Sequence, residues 1–461
     1  MTQTDDRTGT GLALFPPAFR WGVATAAYQI EGATAEDGRT PSIWDTFSRT
    51  PGRVHLGQTG DVACDHYHRY AEDVALMRDL GVDTYRFSIS WPRIKPDGTG
   101  PVNPRGLDFY DRLVDTLLAA GIDPMATLYH WDLPQTLEDG GGWTVRDTAH
   151  HFAAYAEAVY DRLGDRIRTW TTLNEPWCSA FLGYGTRDQA PGRAEPASAF
   201  LAAHHLLLGH GLAARALRAA GAREVSVTVN LTPVSPRDPQ DRHDVAAARL
   251  VDGLHNRIFL DPIVYGRYPA DMLEHTARFT GLDHILDGDE ELIGAPIDFL
   301  GVNYYAPTHV AAKVGTPSSD RFPGTEGVEH PDPDLPVTGM GWPVEADGLR
   351  RLLVRLARDY PSTPLMITEN GAAYPDSAED GRVADAERVD YLRTHLLAAH
   401  QAIQEGVDLR GYLAWSLMDN FEWAYGYDKR FGLVHVDYDT QTRIPKDSAL
   451  WYSGVIGRNG L

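Results

Sequence analysis

Trp21-Gly22-Val23-Ala24-Thr25 runs straight into Ala26-Ala27-Tyr28-Gln29. The first five residues read as a short strand. An open, doubly wound sheet would usually carry a glycine-rich dinucleotide turn after its first strand, and this continuation lacks those glycines. Seven further runs read as strands, at residues 84–89, 124–129, 167–173, 225–229, 299–302, 365–368 and 411–415. Amphipathic stretches lie between them, among them residues 70–80, 106–120, 148–163 and 199–220. Eight strand–helix alternations in one undivided chain predict an α/β fold. They specify a single (β/α)8 TIM barrel, a parallel sheet closed on itself, with elaborated loops at the C-terminal face. The Pro/Gly/Asp-rich stretch 313–340 is expected to be one of those loops, at the barrel mouth.

At about 150 residues per domain, a length of 461 would suggest three domains, but one barrel over residues 1–461 overrides that expectation. Residues 1–14 are expected to form a flexible N-terminal tail. Acidic residues outnumber basic ones, 64 to 42, a net charge of −22 that argues against nucleic acid or an anionic membrane as partner. With 43% hydrophobic and 10% aromatic residues, the chain can build a large core. No apolar run reaches membrane-spanning length. The polar start lacks a basic segment followed by an apolar one, so no secretory signal is expected. Cys64 and Cys178 are too few for a disulfide framework, so a cytoplasmic setting is the default. Acidity favours solubility and leaves the oligomeric state open.

Catalytic groups of such a barrel come from the C-terminal ends of its strands. Strand one leads to Gln29, strand two contains Arg86, and strand three ends in His130-Trp131. Strand four ends in Asn174-Glu175, strand six in Asn303 with Tyr305 beyond it, and strand seven in Glu369-Asn370. Strand eight ends in Trp415, with Glu422-Trp423 on the following loop. Carboxylates, an arginine, amides and indoles thus converge on one face. That is the inventory of a sugar site: indoles stack on pyranose C–H faces, while amides and carboxylates bind hydroxyls. Cleaving a glycosidic bond needs one group to protonate the departing oxygen and another to meet the charge at the anomeric carbon. Glu175 and Glu369, on strands four and seven, fit those two tasks. A gap of about 5–5.5 Å would let Glu369 attack directly with retention, whereas about 6.5–9.5 Å would admit a water and invert the product.

The chain resembles the bacterial β-glucosidases of glycoside hydrolase family 1, from about Phe15 to about Ser453. The resemblance is carried by the opening segment 19–32, by Thr172-Leu173-Asn174-Glu175-Pro176 and by Ile367-Thr368-Glu369-Asn370-Gly371. Tyr85-Arg86-Phe87-Ser88, His130-Trp131-Asp132-Leu133-Pro134 and the segment 415–423 add to it, in order. The resemblance implies that Glu369 is the nucleophile of a retaining enzyme and Glu175 its acid/base. It implies that Gln29, His130, Trp131, Asn174, Glu422 and Trp423 bind the glycone over Trp415, while Arg86, Asn303 and Tyr305 surround the nucleophile. The implied substrates are terminal β-D-glucosyl residues of cellobiose, short cello-oligosaccharides and aryl β-glucosides, with β-galactosides and β-fucosides also tolerated. No cofactor or metal is implied. Family members that take 6-phosphorylated glycosides usually carry a small residue where Glu422 stands, and a carboxylate there would repel phosphate. A 6-phospho-β-glycosidase is therefore the alternative, and a non-catalytic sugar-binding relative the more distant one. Where many relatives have His before Ala-Pro-Gly, this chain has Gln189, a departure on the leaving-group side.

Plainer readings stand beside these. Trp342 is read as a leaving-group wall or as core, and Trp177 and Leu182 as ordinary packing, with a place at the same entrance as the alternative. Cys178 is read as a small buried hydrophobe. His66-x-His68 and His204-His205 lack a third ligand at metal spacing and are read as solvated helix faces.

Overall fold

The structure is a computed structural model that describes residues 12–461. Eight parallel strands close into a barrel in sequence order: β1 (Arg20–Ala24), β2 (Thr84–Ser88), β3 (Asp123–Tyr129), β4 (Thr169–Asn174), β5 (Glu224–Asn230), β6 (Phe299–Asn303), β7 (Leu365–Asn370) and β8 (Leu409–Trp415). All eight coincide with the runs singled out above. They are almost wholly buried, as strands clothed by helices on the outside must be. β1 closes the ring by pairing with β8 from Arg20↔Gly411 to Ala24↔Trp415, and with β2 on its other edge.

The expected amphipathic stretches form the helices His66–Asp79, Pro104–Ala119, Asp147–Leu163 and Pro196–Ala220. At the closed end of the barrel, Arg20 clamps Glu224 at 2.8 Å. At the open end, the 313–340 insertion bends back over the mouth, and Phe322 and Met340 reach the central cavity. Of the segment read as a tail, residues 1–11 lie outside the described residues. Residues 12–14 run beside the C-terminus, where Ala13 and Leu461 exchange backbone hydrogen bonds of 3.0 and 3.2 Å. No helix among the described residues is long and apolar enough to cross a membrane.

The histidine pairs do not form solvated faces, apart from His68. His66 is buried with Nδ1 2.7 Å from Asp73. His204 lies between Tyr268 Oη at 2.9 Å and Asp289 at 3.0 Å, and His205 Nδ1 is 3.0 Å from the Trp143 carbonyl. The reason is burial: helix Pro196–Ala220 is enclosed on most of its sides, so its polar side chains find partners inside the protein.

Burial also holds the imidazoles of His210 and His395 down, to about 4. An unfolded chain takes up those protons near pH 6.5, so stability present above that pH should drain away as pH falls towards 4. Each group can contribute at most about 3 kcal/mol. Thermal melting should show Tm falling from pH 6.5 to 4, and His395→Leu should flatten the decline. A pH-independent Tm over that interval would contradict this.

Candidate active site

Both strands that carry the central carboxylates lose register at their upper ends. β4 shifts against β5 between Thr171 and Asn174, and β7 shifts against β6 between Ile367 and Glu369. Such irregularities turn side chains away from the simple in–out alternation, which is how Glu175 and Glu369 come to face the same space. Glu175 follows the last residue of β4 in a left-handed conformation, φ 49°, tied by its amide to the Thr228 carbonyl at 2.9 Å. Glycine is required just after Glu369: a Cβ on Gly371 would stand 1.8 Å from the Trp415 carbonyl oxygen. β7 can therefore press against β8.

A continuous set of hydrogen bonds fixes the carboxylates. Arg86 Nη1 donates to Glu369 Oε1 at 2.6 Å and Nη2 to Asn174 Oδ1 at 2.7 Å. Tyr305 Oη donates to the other oxygen of Glu369 at 2.7 Å. The Thr368 hydroxyl donates to Asn303 Oδ1 at 2.8 Å, which turns the Asn303 amide nitrogen towards Glu175 Oε1, 2.7 Å away. Burial first, and the charge of Glu369 second, push the Glu175 carboxyl up to about 8. Burial raises Glu369 as well, but Arg86 and Tyr305 oppose it, so Glu369 is the member of the pair that ionises first. The pair thus divides into one carboxyl that holds its proton and one that gives it up more readily.

The cavity has a volume of about 580 Å³. Of the residues expected from the sequence, His130, Trp131, Glu175, Asn303, Tyr305, Trp342, Glu369, Trp415, Glu422 and Trp423 line it. Gln29, Arg86 and Asn174 stand immediately behind that lining. Gln29 donates its amide to Asn420 Oδ1 and the Phe421 carbonyl, both at 2.9 Å, leaving Oε1 without a protein partner. Asn174 Nδ2 lies 3.0 Å from His130 Nε2. The ring is held neutral by burial and by Arg86, so Nε2 accepts and the free proton sits on Nδ1, which also lacks a protein partner. His130 and Trp415 stack at 24°, and Trp131 packs on Trp423 at 4.6 Å while donating its Nε1–H to the Asn174 carbonyl at 2.9 Å. Burial and the two central glutamates push Glu422 up to about 8. The fixed negative charge expected at that position is therefore largely absent at neutral pH.

The outer half is made differently. Two π-helical turns, Cys178–Gly185 and Gly253–Arg257, bring Cys178, Leu182 and His255 to the wall. Such turns carry one extra residue and frequently mark sites. Trp177 and Leu182 line the cavity, the alternative to packing in their sequence reading, as does Trp342. Cys178 is buried as expected, but its thiol donates to Glu175 Oε2 at 3.2 Å, which a plain hydrophobe would not. Asn230, Thr232, His255 and Phe322 complete the wall, and Arg321 closes its rim by pairing with Asp188 at 2.8 Å. Sequence reasoning missed these. The insertion hinted at Arg321 and Phe322, whereas nothing in the local pattern marks His255.

The family model described as Glycosyl hydrolase family 1 matches residues 12–461. The chain is 58% identical to thermostable beta-glucosidase B of Thermobispora bispora, covering 97% of this chain and 91% of that protein. It is 52% identical to the bifunctional beta-D-glucosidase/beta-D-fucosidase of Bifidobacterium breve, covering 96% and 98%. Among solved structures, a psychrophilic beta-glucosidase from Micrococcus antarcticus superposes with a TM-score of 0.94 at 52% identity, covering 97% of this chain and 98% of that one. With the barrel, the paired carboxyls and a family match along the whole described chain, this protein belongs to glycosyl hydrolase family 1 and is a glycoside hydrolase.

Proposed function

We propose that the chain is a retaining, exo-acting β-glucosidase in which one barrel, spanning the chain, carries out both halves of a double displacement. The observation that carries this reading is the split between Glu369, paired with Arg86 and Tyr305, and Glu175, pushed up to about 8 beside it. Glu369 attacks the anomeric carbon while Glu175 gives its proton to the departing oxygen. Once Glu369 is esterified its charge is gone, which removes one cause of the raised Glu175 value. Glu175 then ionises readily and takes a proton from the water that releases the sugar. The glycone would sit against Trp415, with its hydroxyls on Gln29 Oε1, His130 Nδ1, Asn174 and Glu422. Asn174 would reach the 2-hydroxyl, a bond expected to tighten in the transition state.

Cellobiose, short cello-oligosaccharides and aryl β-glucosides suit a cavity of about 580 Å³ that is closed at its inner end. β-Fucosides and β-galactosides keep most of these contacts, and the Bifidobacterium breve relative is named for both glucosidase and fucosidase activity. A beta-glucosidase from Thermotoga maritima, 46% identical, has been solved in complex with deoxynojirimycin. A 6-phospho-glycoside fits less well, and the reason lies in missing cations more than in the charge of Glu422. Among the described residues that line the cavity Arg321 is the one permanent cation, and it sits at the exposed rim. Two unpaired cysteines suit a reducing, cytoplasmic setting.

Glu369→Ala should lower turnover of a nitrophenyl β-glucoside by roughly 10⁴-fold or more. Azide should then restore activity and yield the α-glycosyl azide, and a β-linked product would exchange the two carboxyl roles. On cellobiose, kcat/KM should be bell-shaped in pH, its alkaline limb near pH 8 set by the Glu175 proton. A dinitrophenyl β-fucoside needs no proton on its leaving group and lacks the 6-hydroxyl. On that substrate the wild-type enzyme should lose the alkaline limb of kcat/KM, and a limb retained near pH 8 would assign it to another group. Cellobiose and its 6-phosphate, compared at equal concentration, should differ strongly in favour of the plain sugar.

A further inference from the structure

Behind the two loops that flank the inner half runs a chain of buried charges alternating in sign: Asp385, Arg388, Asp376, Lys446, Asp419, Arg430. The first five side chains are at most 2% exposed. Arg388 pairs with Asp385, donates to Asp376 at 2.8 Å, and reaches the carbonyls of Ala372 at 3.1 Å and Arg430 at 2.7 Å. Lys446 Nζ bridges Asp376 and Asp419, lying 2.7 Å from the second. Asp419 also accepts from the Gly432 amide at 3.0 Å and from Arg430 Nη1 at 2.6 Å. None of the six lines the cavity.

The ends of this chain meet the site at two places. Ala372 lies three residues beyond Glu369, on the loop that leaves β7. Asp419 lies three residues before Glu422, and its neighbour Asn420 accepts from the Gln29 amide. A buried ion pair adds little net stability over an apolar pair of the same shape, so such a chain is poorly explained as a source of stability. It does impose direction. Charges alternate, each of the four inner groups has a partner on either side, and a small slide of one loop against the other would strand a buried charge.

We propose that this ionic chain sets the register between the nucleophile's loop and the loop that bears Glu422 and Trp423, making Lys446 and Asp376 positioning residues for recognition of the sugar's 4- and 6-hydroxyls. The inference rests on the reading of Glu422 as a hydroxyl-binding group.

The double variant Lys446→Met/Asp376→Asn cuts the chain in the middle while leaving each half neutral, Asp385 with Arg388 and Asp419 with Arg430. With nitrophenyl β-glucoside and β-fucoside, which differ at the 6-hydroxyl and in the configuration of the 4-hydroxyl, the glucoside-to-fucoside ratio of kcat/KM should fall about ten-fold. The loss should come mainly through glucoside KM, the size expected when one hydroxyl contact is lost. A purely structural role would lower both substrates alike, so an unchanged ratio in folded enzyme overturns the inference. If the double variant does not accumulate as folded protein, Asp376→Asn, which preserves shape and the Lys446–Asp419 contact, is read by the same ratio against the same criterion. Glu422→Gln is the control. A ratio unmoved there overturns the underlying reading of the site, and a ratio moved there but not in the chain variants overturns this inference alone.

Discussion

A guanidinium with no solvent exposure governs this barrel. Arg86 rises from β2 into the middle of the ring, where an unpaired positive charge would cost several kcal/mol, roughly 3–5 on the scale of broken buried pairs. Its need for partners is met by Glu369 and Asn174, and the rest of the inner site follows from those two contacts. Asn174, turned by the arginine, presents its amide nitrogen to His130 and so fixes which ring nitrogen carries the proton. Its oxygen is shared with Asn303, whose amide in turn reaches Glu175. One cation thus orients an imidazole and both central carboxyls, at the ends of three different strands.

The same arrangement separates the two carboxyls in proton affinity without any metal ligand or mobile element having to be invoked. Both are buried, and burial alone would keep both neutral. Arg86 and Tyr305 touch Glu369, whereas Glu175 receives an amide and a thiol, which are weaker partners for a charge. Glu422 shares the low-dielectric surroundings without a cation, and its proton is held for the same reason as that of Glu175. Of the three buried glutamates in the cavity, Glu369 is therefore the one whose charged form its surroundings favour most.

Much of this was legible in the chain before any coordinates. The barrel could be read because its strands are short, buried and separated by long helical stretches, so each announces itself locally. The inner residues could be read because a barrel places strand ends on one face, and the resemblance supplied roles for them. What failed to show was set by contacts between distant segments. His204 and His205 look like a polar helix face until the neighbouring helix and the 268–289 region close over them. His255 reaches the wall through a π-helical turn that no periodicity predicts. The raised proton affinity of Glu422 could not be read either, since it depends on burial and on the two glutamates that folding brings near it.

The inner half of the cavity is built from strand ends and the outer half from two irregular helical turns and an insertion, and this division bears on how such an enzyme diversifies. Strand ends are held on both sides by the ring, so a substitution there disturbs neighbours on several strands at once. The insertion touches the rim through an exposed arginine–aspartate pair of the kind that contributes little to stability. Lineages sharing this scaffold are thus free to trade one outer wall for another and drift towards new alcohols as leaving groups, while the machinery that breaks the bond is inherited intact.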